Sequence, residues 1–534
     1  MQTSFQIAVN TLTSWGCSLL SGILGWVLVP IYIAQLGKEG YGLIGLATTI
    51  VVYTMIVDLG LQQALGRQLA AEVARKDVDA FNRLASSAMV FYLCLSVVPS
   101  LVLVVTAPSL AGIFAVSPAS RSEAVFLIRW YAPLATVLTL IGSVYAATLT
   151  SGNRFDRLNI VTSGNYALRA VLLVAVLKLT HLGVRGWAIV TIATELIRLV
   201  LLRFSAVRIR PSFQLRIRLF RLGSIRSLVG LGIYSFGAES ARLLSAQSDP
   251  LILSLYFGPA ILALYSPAVQ LLNAIKPFVY AIASQLCPIA TNFHVTNNRD
   301  KVAEVLTSGT RYQLLQGAGA MALVIAFANS VIQVWLGKTL RGDCRTTAGV
   351  LMALSVVDVI NYSAGTQWPV LLGMGRPKVF VVTAVPLGIA YITTSFVLVA
   401  HTSLGIYGVL VPNLVFTLII RILIGAHAAK LCGLLPREYL VASYIRPTLV
   451  FALLLGFCVA LSRAVVPSSY GGLAGCSALA LIVWCGLCWF VGFSEKDRWR
   501  LKGILLHAWY SLKNTGRSAA SAAEAATTEA SKGA

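Results

Sequence analysis

The chain has 534 residues, of which 57% are hydrophobic and only 11% are charged. A typical soluble domain is about 25% charged, so this composition excludes an ordinary soluble protein. The formal net charge is +23, and the mean hydropathy is +0.80. No segment between the apolar stretches is long enough to form an extramembrane core of its own, and we therefore predict a polytopic membrane protein.

Fourteen apolar stretches are each long enough to cross a bilayer, which takes about 20 residues of helix. Backbone polar groups must pair internally in hydrocarbon, so each stretch is predicted to be a helix. The predicted spans are 11–34, 42–66, 84–107, 124–150, 158–179, 184–204, 228–257, 259–290, 302–334, 348–374, 379–401, 404–429, 439–461 and 471–493. The predicted fold class is all-α, with two six-helix bundles and two further C-terminal helices.

Basic residues are distributed unevenly between the two sides of the membrane. Of the 42 Lys and Arg residues, 27 fall on the side that holds both termini, 8 on the opposite side and 7 within the spans. Seven arginines lie in the stretch 203–226 alone. Because positive residues mark cytoplasmic loops, we predict that both termini are cytoplasmic. The net charge then requires no nucleic-acid partner.

This topology predicts five segments along the chain. They are an N-terminal six-helix bundle at 1–204, a basic cytoplasmic linker at 205–227, a C-terminal six-helix bundle at 228–430, two additional transmembrane helices at 431–493 and a cytoplasmic tail at 494–534 that is first basic and then disordered. The first part of the tail, 496–513, alternates basic with aromatic and aliphatic residues. That pattern fits either a helix on the inner leaflet or a solvated end of the last helix.

Two pairs of short segments indicate an internal repeat. VPIYIAQLGKEGYGLIGLATTI aligns without gaps with DPLILSLYFGPAILALYSPAVQ, which places Gly37 on Gly258 and Pro30 one position from Pro250. Similarly, TLTSGNRFDRL resembles LLGMGRPKVF, and both are predicted to be short Gly-Arg turns on the cytoplasmic side. Six spans separate the copies, and six is even, so the copies point the same way through the bilayer. The sequence therefore predicts a parallel repeat.

Ionisable residues inside the spans are the main functional signal. A charge at mid-bilayer is costly, so such residues normally face a cavity or a partner. Arg198 lies three residues after Glu195, a spacing that favours pairing on one helix, and Arg242 and Glu239 have the same spacing. Arg311 lies close enough to a span end to extend to the interface.

Three cations, Arg169, Lys276 and Arg421, have no acidic residue at helical spacing. Arg242 and Lys276 can occupy the same level on adjacent helices. A cluster of cations in a wet cavity would attract a phosphate or pyrophosphate. We therefore predict a cationic substrate-binding cavity formed by Arg169, Arg242, Lys276 and Arg421.

Four acidic residues in the spans are candidates for ion coupling. They are Asp58, Asp249, Asp358 and Glu239. Asp249 precedes the helix-breaking Pro250, and broken helices recur at transport sites. A carboxylate in a dry cavity can carry a proton, and sodium binding is equally compatible. The alternatives are that the first three acids pair with the cations across helices and that the proline serves packing only.

No catalytic residue, cofactor or metal site is predicted. Cys485 and Cys488 have C-x-x-C spacing, but they lie within the last span, where packing explains them. The sequence contains no nucleophile–base pattern, metal-ligand cluster or phosphate loop. We therefore do not expect an enzyme.

Three motifs resemble those of polysaccharide (O-antigen type, Wzx-like) flippases of the multidrug/oligosaccharidyl-lipid/polysaccharide (MOP) exporter superfamily. They are VDLGLQQALGRQLA, with Asp58, Gly60 and Arg67; SDPLILSLYFGPAILALYSPAVQLL, with Asp249, Gly258 and Tyr265; and LLGMGRPKVF. The resemblance implies a V-shaped, MATE-like pair of bundles in the cytoplasmic (inner) membrane. It also implies alternating-access flipping of a polyprenyl-diphosphate-linked oligosaccharide to the outer leaflet, with the diphosphate in a cationic cavity.

The implied partners are an undecaprenyl-diphosphate-linked glycan, membrane lipid and other polysaccharide-assembly proteins, with proton or sodium coupling. A lipid II flippase is an alternative that sequence separates poorly. A multidrug exporter of the same superfamily would favour an anionic cavity for cationic drugs. A membrane glycan polymerase or ligase would carry a sizeable outward loop, whereas the longest predicted here is 108–123.

Overall fold

The computed structural model describes residues 2–58, 61–226, 228, 247–280, 283–376, 378–495, 497–499 and 502–503. Within these ranges the chain is helical and contains no strand. Ten helices in this part of the chain are long and apolar enough to cross a membrane. The all-α membrane fold is confirmed. The count of fourteen spans stays a prediction, partly because 229–246 lies outside these ranges.

The helices follow one another with short connections. In the first half they are α1 (Gln2–Thr54), α2 (Leu61–Arg75), α3 (Val78–Ile113), α4 (Arg121–Phe126), α5 (Ala132–Ser151), α6 (Phe155–Leu179) and α7 (Gly183–Ile209). In the second half they are α8 (residues 247–257), α9 (Leu262–Val279), α10 (Ala283–Val295), α11 (Arg299–Leu340), α12 (Cys344–Asn361), α13 (Ala364–Gly373), α14 (Lys378–His401), α15 (Tyr407–Leu431), α16 (Pro436–Ala464) and α17 (Tyr470–Leu487).

Several predicted spans are interrupted helices. α1 contains a break at Gly37, whose φ of 70° and ψ of 177° are not helical, so α1 supplies two crossing segments. The second of these ends in a 3₁₀ turn, Met55–Asp58. The predicted span 259–290 is divided between α9 and α10, and α9 ends two residues after Pro277. Proline removes a backbone donor, which favours such a break.

The predicted repeat has the same backbone geometry in both copies. Gly258 has φ 74° and ψ 170°, which nearly equal the angles of Gly37. In the turn pair, Asn153 (φ 56°) and Gly375 (φ 68°) occupy the left-handed region. The following N–H groups bond back over five residues in both turns, Arg154 to the Leu149 carbonyl at 3.1 Å and Arg376 to the Leu371 carbonyl at 2.9 Å. Asn is the residue that most readily replaces Gly in this conformation.

The helices pack into two groups. α1 packs against α5, α6 and α7, and α5 lies between α3 and α7. In the second half α12 packs against α9, α11 and α15, whereas α10 packs against α11 and α13. α16 lies along α11, and α17 contacts both. The boundaries predicted for the five segments remain predictions.

The two groups meet at the end of the molecule that carries fewer basic residues. Trp26 of α1 stacks on Trp335 of α11 with ring centroids 4.2 Å apart, and the Trp335 indole N–H donates to the Trp26 carbonyl at 2.7 Å. Lys38 forms an ion pair with Asp343 across the same junction. One apolar core runs through both groups here and includes Leu43. This end, predicted to face outward, is therefore closed.

The segment after α17 is attached to α11. Asp497 is 2% exposed and accepts hydrogen bonds from Arg311 Nη2 at 2.6 Å and from the Tyr312 hydroxyl at 2.5 Å. Burial acts to raise the pKa of the Asp497 carboxyl, but the bonds from Ser494 and Tyr312 and the Arg311 charge hold that pKa below its usual value. The Arg311 guanidinium thus pairs with a buried carboxylate and does not extend to interfacial water.

Close packing at the closed end generates the first prediction. A β-carbon added at Gly42 would lie 1.9 Å from the Pro259 carbonyl oxygen. Gly42→Val should therefore force the two groups apart and slow cross-linking between cysteines placed at Lys38 and Asp343 in a Cys344→Ser background. The measurement is the rate of reaction with a short bifunctional thiol reagent in membranes.

Gly16→Val is the matched control, because a β-carbon at Gly16 meets no atom within 4 Å. We expect this control to cross-link at the parental rate. Equal rates in the two valine variants would contradict a junction at Gly42 and Pro259.

Candidate substrate and ion site

A cavity of about 490 Å³ lies within the second group of helices. Four of the predicted site residues line it: Asp249, Lys276, Asp358 and Arg421. They come from α8, α9, α12 and α15, which are distant in sequence but packed together. The other polar residues of the lining are Gln247, Tyr265, Asn273, Tyr280, Asn361, Tyr391, Asn413 and Thr417.

Asp249 is a buried carboxylate held by neutral groups. It is 1% exposed and accepts hydrogen bonds from the Tyr265 hydroxyl at 2.9 Å, from the Tyr391 hydroxyl, and from Asn413 Nδ2 at 3.2 Å. The Thr417 hydroxyl donates to Asn413 Oδ1 at 3.3 Å, which orients that amide. Among the residues that the structure describes, no Lys, Arg or His pairs with Asp249. The site therefore holds a carboxylate without a counter-charge from the described chain.

Lys276 and Asp358 form an ion pair across two helices. Lys276 Nζ of α9 lies 3.2 Å from Asp358 Oδ2 of α12. The Lys276 side chain is 33% exposed, whereas that of Asp358 is 7% exposed. In this conformation Lys276 therefore pairs with an acidic residue on another helix, which is the alternative that the sequence analysis left open. Since the lysine is the more exposed member, it is the one that can turn towards a ligand.

Arg421 is held by neutral groups and retains a free nitrogen. Its Nε donates to Asn361 Oδ1 at 2.9 Å, and its guanidinium carbon lies 5.8 Å from the centre of the Phe380 ring. Its Nη1 is buried and has no hydrogen-bond partner. Of the predicted cations that the structure describes, Arg421 alone lacks a carboxylate within 4 Å. An unpaired guanidinium nitrogen beside a polar cavity can bind an anion.

Arg169 lies in the first group of helices and does not line this cavity. It forms an ion pair with Glu195 of the neighbouring α7, and its Nε donates to the Thr194 hydroxyl at 3.1 Å. Glu195 also pairs with Arg198 at 2.6 Å, as the three-residue spacing predicts. Arg169 is thus paired across helices, a contact that helical spacing does not indicate because it identifies acids on the same helix and misses those on an adjacent one. Its role in substrate binding stays a prediction.

Asp58 does not line this cavity. It ends the 3₁₀ turn of the first group, and its Oδ1 is buried without a hydrogen-bond partner. Arg242 and Glu239 lie outside the described residues. The cavity thus unites two predicted cations with two predicted acids, and their roles stay predictions.

Charge alone did not identify the neutral members of the cavity. Asn361, Tyr391 and Asn413 contact predicted site residues. Each is a polar residue within an apolar helix, which is the available sequence signal, since polar groups in a membrane span need partners. Tyr265 was within a motif of the family resemblance, but its bond to Asp249 was not predicted.

Comparison with known proteins decides the family. Residues 7–294, more than half of the chain, match the family described as polysaccharide biosynthesis protein. The chain belongs to the polysaccharide biosynthesis protein family. No curated protein matches the sequence.

Solved structures show the same fold at low sequence identity. An inward-facing MATE multidrug transporter of the MOP superfamily has 15% identity and a TM-score of 0.67, covering 78% of this chain and 94% of that one. The lipid II flippase MurJ in an inward closed conformation has 13% identity and a TM-score of 0.67, covering 89% and 97%. A MOP transporter from Pyrococcus furiosus, whose binding pocket is described as of reverse polarity, has 15% identity and a TM-score of 0.58, covering 80% and 96%.

The family and the fold together confirm the predicted resemblance to the flippase family of the MOP superfamily. Together with the ten apolar helices, they indicate a multi-pass membrane protein.

The buried ion pair generates the second prediction. Lys276→Met should lower the melting temperature by several degrees, because it leaves Asp358 buried without a counter-charge. The double variant Lys276→Met/Asp358→Asn should recover part of the loss, with a coupling energy of about 1 kcal/mol or more. Tryptophan fluorescence during heating of the purified protein measures these temperatures.

The exposed pair Lys38–Asp343 provides the matched control. Its side chains are 40% and 42% exposed, and exposed pairs contribute little to stability. Lys38→Met and Asp343→Asn should therefore be nearly additive. Additive effects at Lys276 and Asp358 as well would argue against their pairing.

Proposed function

We propose that this protein flips a polyprenyl-diphosphate-linked oligosaccharide, such as a polysaccharide or O-antigen repeat unit, from the inner to the outer leaflet of the cytoplasmic membrane. The family membership supports a role in polysaccharide assembly, and the fold supports transport. The observation that carries the proposal is the environment of Arg421. Its buried Nη1 has no hydrogen-bond partner, and the residue lines a polar cavity inside a membrane bundle.

A sugar-diphosphate head cannot cross hydrocarbon unaided, because its charges and hydroxyls would lose water without replacement. The cavity offers polar groups that can replace this water, both for the charges and for the hydroxyls. Arg421 offers charge-assisted bonds to the diphosphate, while the side chains of Asn273, Asn361 and Thr417 can bond sugar hydroxyls. The polyprenyl chain stays in the lipid.

Lys276 gives the cavity a second, conditional cation. In the described conformation it pairs with Asp358, so the charges of these two residues offset each other. A diphosphate bound at Arg421 would compete with Asp358 for the lysine. Binding would thus replace the Lys276–Asp358 pair by a pair between Lys276 and the diphosphate, and it would leave Asp358 without its counter-charge.

The closed end of the molecule supports alternating access. The contacts Trp26–Trp335 and Lys38–Asp343 close the end that we assign to the outer face. Substrate would therefore enter from the cytoplasmic side, where the basic loops and both termini lie in the predicted orientation. Opening to the outer leaflet requires these contacts to separate.

We assign ion coupling to Asp249. A carboxylate surrounded by three neutral donors can take up a proton or a sodium ion without breaking an ion pair. Asp358 is committed to Lys276 in this conformation, and Asp58 lies in the other group of helices. Glu239 keeps its assignment as a candidate.

A lipid II flippase is the second candidate, since the lipid II flippase MurJ shares the fold over 89% of this chain. Deletion distinguishes the two, because a cell cannot build its wall without lipid II transport. A viable deletion strain that lacks surface polysaccharide supports the first function. Other polysaccharide-assembly proteins would then be expected partners.

The third prediction concerns Arg421. Arg421→Ala should lower surface polysaccharide about 10- to 100-fold, as expected for loss of a hydrogen bond to a charged group, while undecaprenyl-linked glycan accumulates on the inner leaflet. Arg421→Lys should retain part of the activity, because lysine keeps the charge without the fork. Lys276→Ala and Arg242→Ala should act in the same direction.

Arg463→Ala is the matched control, since Arg463 is exposed and lies outside the cavity. Polysaccharide is measured on intact cells at equal amounts of membrane-inserted protein. Normal surface polymer in Arg421→Ala would remove this arginine from the site.

The fourth prediction concerns Asp249. In vesicles, transport by the parent protein should be stimulated by an imposed proton or sodium gradient. Asp249→Asn should abolish that stimulation and leave substrate binding intact, because an amide takes up neither ion. Asp300→Asn, at an exposed position outside the cavity, is the control, and its transport should still respond to the gradient. A gradient response that survives in Asp249→Asn would exclude Asp249 as the coupling residue.

A further inference from the structure

A second cavity, of about 550 Å³, lies in the first group of helices and is distinct from the proposed substrate site. Its walls come from α3, α5 and α7, and residues 213–217 of the basic linker complete it. Arg203 and Arg216 line it together with Tyr145 and several apolar side chains. It lies at the end of the molecule where α7 finishes and the linker begins, on the side that we assign to the cytoplasm.

The linker is fixed in place beside this cavity. Asn82 of α3 donates to the Ser212 carbonyl at 2.9 Å and accepts from the Gln214 N–H at 3.1 Å. The Ser86 hydroxyl accepts from the Arg216 N–H at 3.1 Å. The predicted basic linker is therefore held along α3, and it presents Arg216 at a defined position.

Phe213 also anchors the linker, because its side chain packs into the protein. It is 5% exposed and packs edge-on against Phe81 and Tyr145, with ring centroids 6.1 Å and 6.2 Å away. Because Tyr145 also lines the cavity, the side chain that anchors the linker and the wall of the cavity belong to one packed unit.

The charge at this cavity is not compensated. All seven arginines of 203–226 lie in described residues, and none of them forms an ion pair within 4 Å with a described acid. Arg203 and Arg216 are both exposed and line the same cavity from different segments. Arg203 precedes the end of α7 by about 9 Å. Two guanidinium groups there present an anion site at the depth of a lipid headgroup.

Most of the rest of the cavity wall is apolar, apart from Ser86, Tyr145 and Gln214. Met89 and Leu93 of α3, Ile141 of α5 and Val207 of α7 line it. Leu93 is 41% exposed and Val207 is 42% exposed. The next exposed positions along α3 include the apolar Val97 and Val98, so on this helix the wall continues into the surface that faces lipid. A free phosphate would use the arginines alone and leave this wall uncovered.

We propose that this cavity binds an anionic phospholipid of the leaflet on the basic side, with its phosphate between Arg203 and Arg216. One acyl chain lies along Met89, Leu93 and Val207. The lipid thereby bridges the linker and α7, and it stabilises the segment that connects the two groups of helices. Charge complementarity and the continuity of the apolar wall select an anionic lipid over a soluble anion.

The test compares two pairs of arginines in the full-length protein. Arg203→Ala/Arg216→Ala should retain phosphatidylglycerol about 30-fold more weakly than the parent, from the effect of two arginines near a lipid surface. Arg218→Ala/Arg226→Ala removes the same charge from exposed positions that do not line the cavity, and it should retain lipid nearly as the parent does. Native mass spectrometry of protein purified with phosphatidylglycerol or phosphatidylcholine counts the bound lipid.

Leu93→Trp tests the apolar wall while leaving both arginines in place. It should displace phosphatidylglycerol, and inorganic phosphate should neither displace the lipid from the parent nor raise its melting temperature. Equal loss in both arginine pairs would overturn the proposal in favour of diffuse attraction. Equal retention of phosphatidylcholine, displacement by inorganic phosphate, or full retention in Leu93→Trp would overturn it as well.

Discussion

A charge inside hydrocarbon needs a partner, and this requirement organises the structure. Glu195 pairs with Arg169 across α6 and α7, and Asp358 pairs with Lys276 across α9 and α12. Each pair also links two helices that were predicted from the sequence as separate spans. Arg421 departs from the pattern because only neutral groups hold it. Its buried Nη1 has no hydrogen-bond partner and it lines a polar cavity, which is why we propose that it binds an anionic substrate.

The cavity and the closed end of the molecule belong to one arrangement. The break at Gly37 within α1 has its equivalent at Gly258, which lies between α8 and α9, and α1 packs against α9 at the junction of the two groups. α9 also carries Lys276 into the cavity. A change in the junction therefore moves a helix that lines the binding site. That mechanical link suits a transporter in which access and substrate binding alternate.

The features that could be predicted from the sequence are those that depend on a single helix or a single turn. The apolar lengths gave the helices, the three-residue spacing gave Glu195–Arg198, and ungapped alignment paired Gly37 with Gly258. Contacts between helices were not predictable, because the register of one helix on another is set by packing. Asp249 shows this most clearly: two of its three donors, Tyr391 and Asn413, lie 142 and 164 residues away.

The attachment of Asp497 to Arg311 sets a limit on how far the chain can be shortened. Arg311 is buried in α11, and Asp497 lies beyond the last transmembrane helix. A truncated protein that ends at residue 493 would keep every membrane helix, yet it would strand a guanidinium without its counter-ion. The apparent spacer after α17 is therefore part of the folded protein, and reporter fusions belong after residue 503.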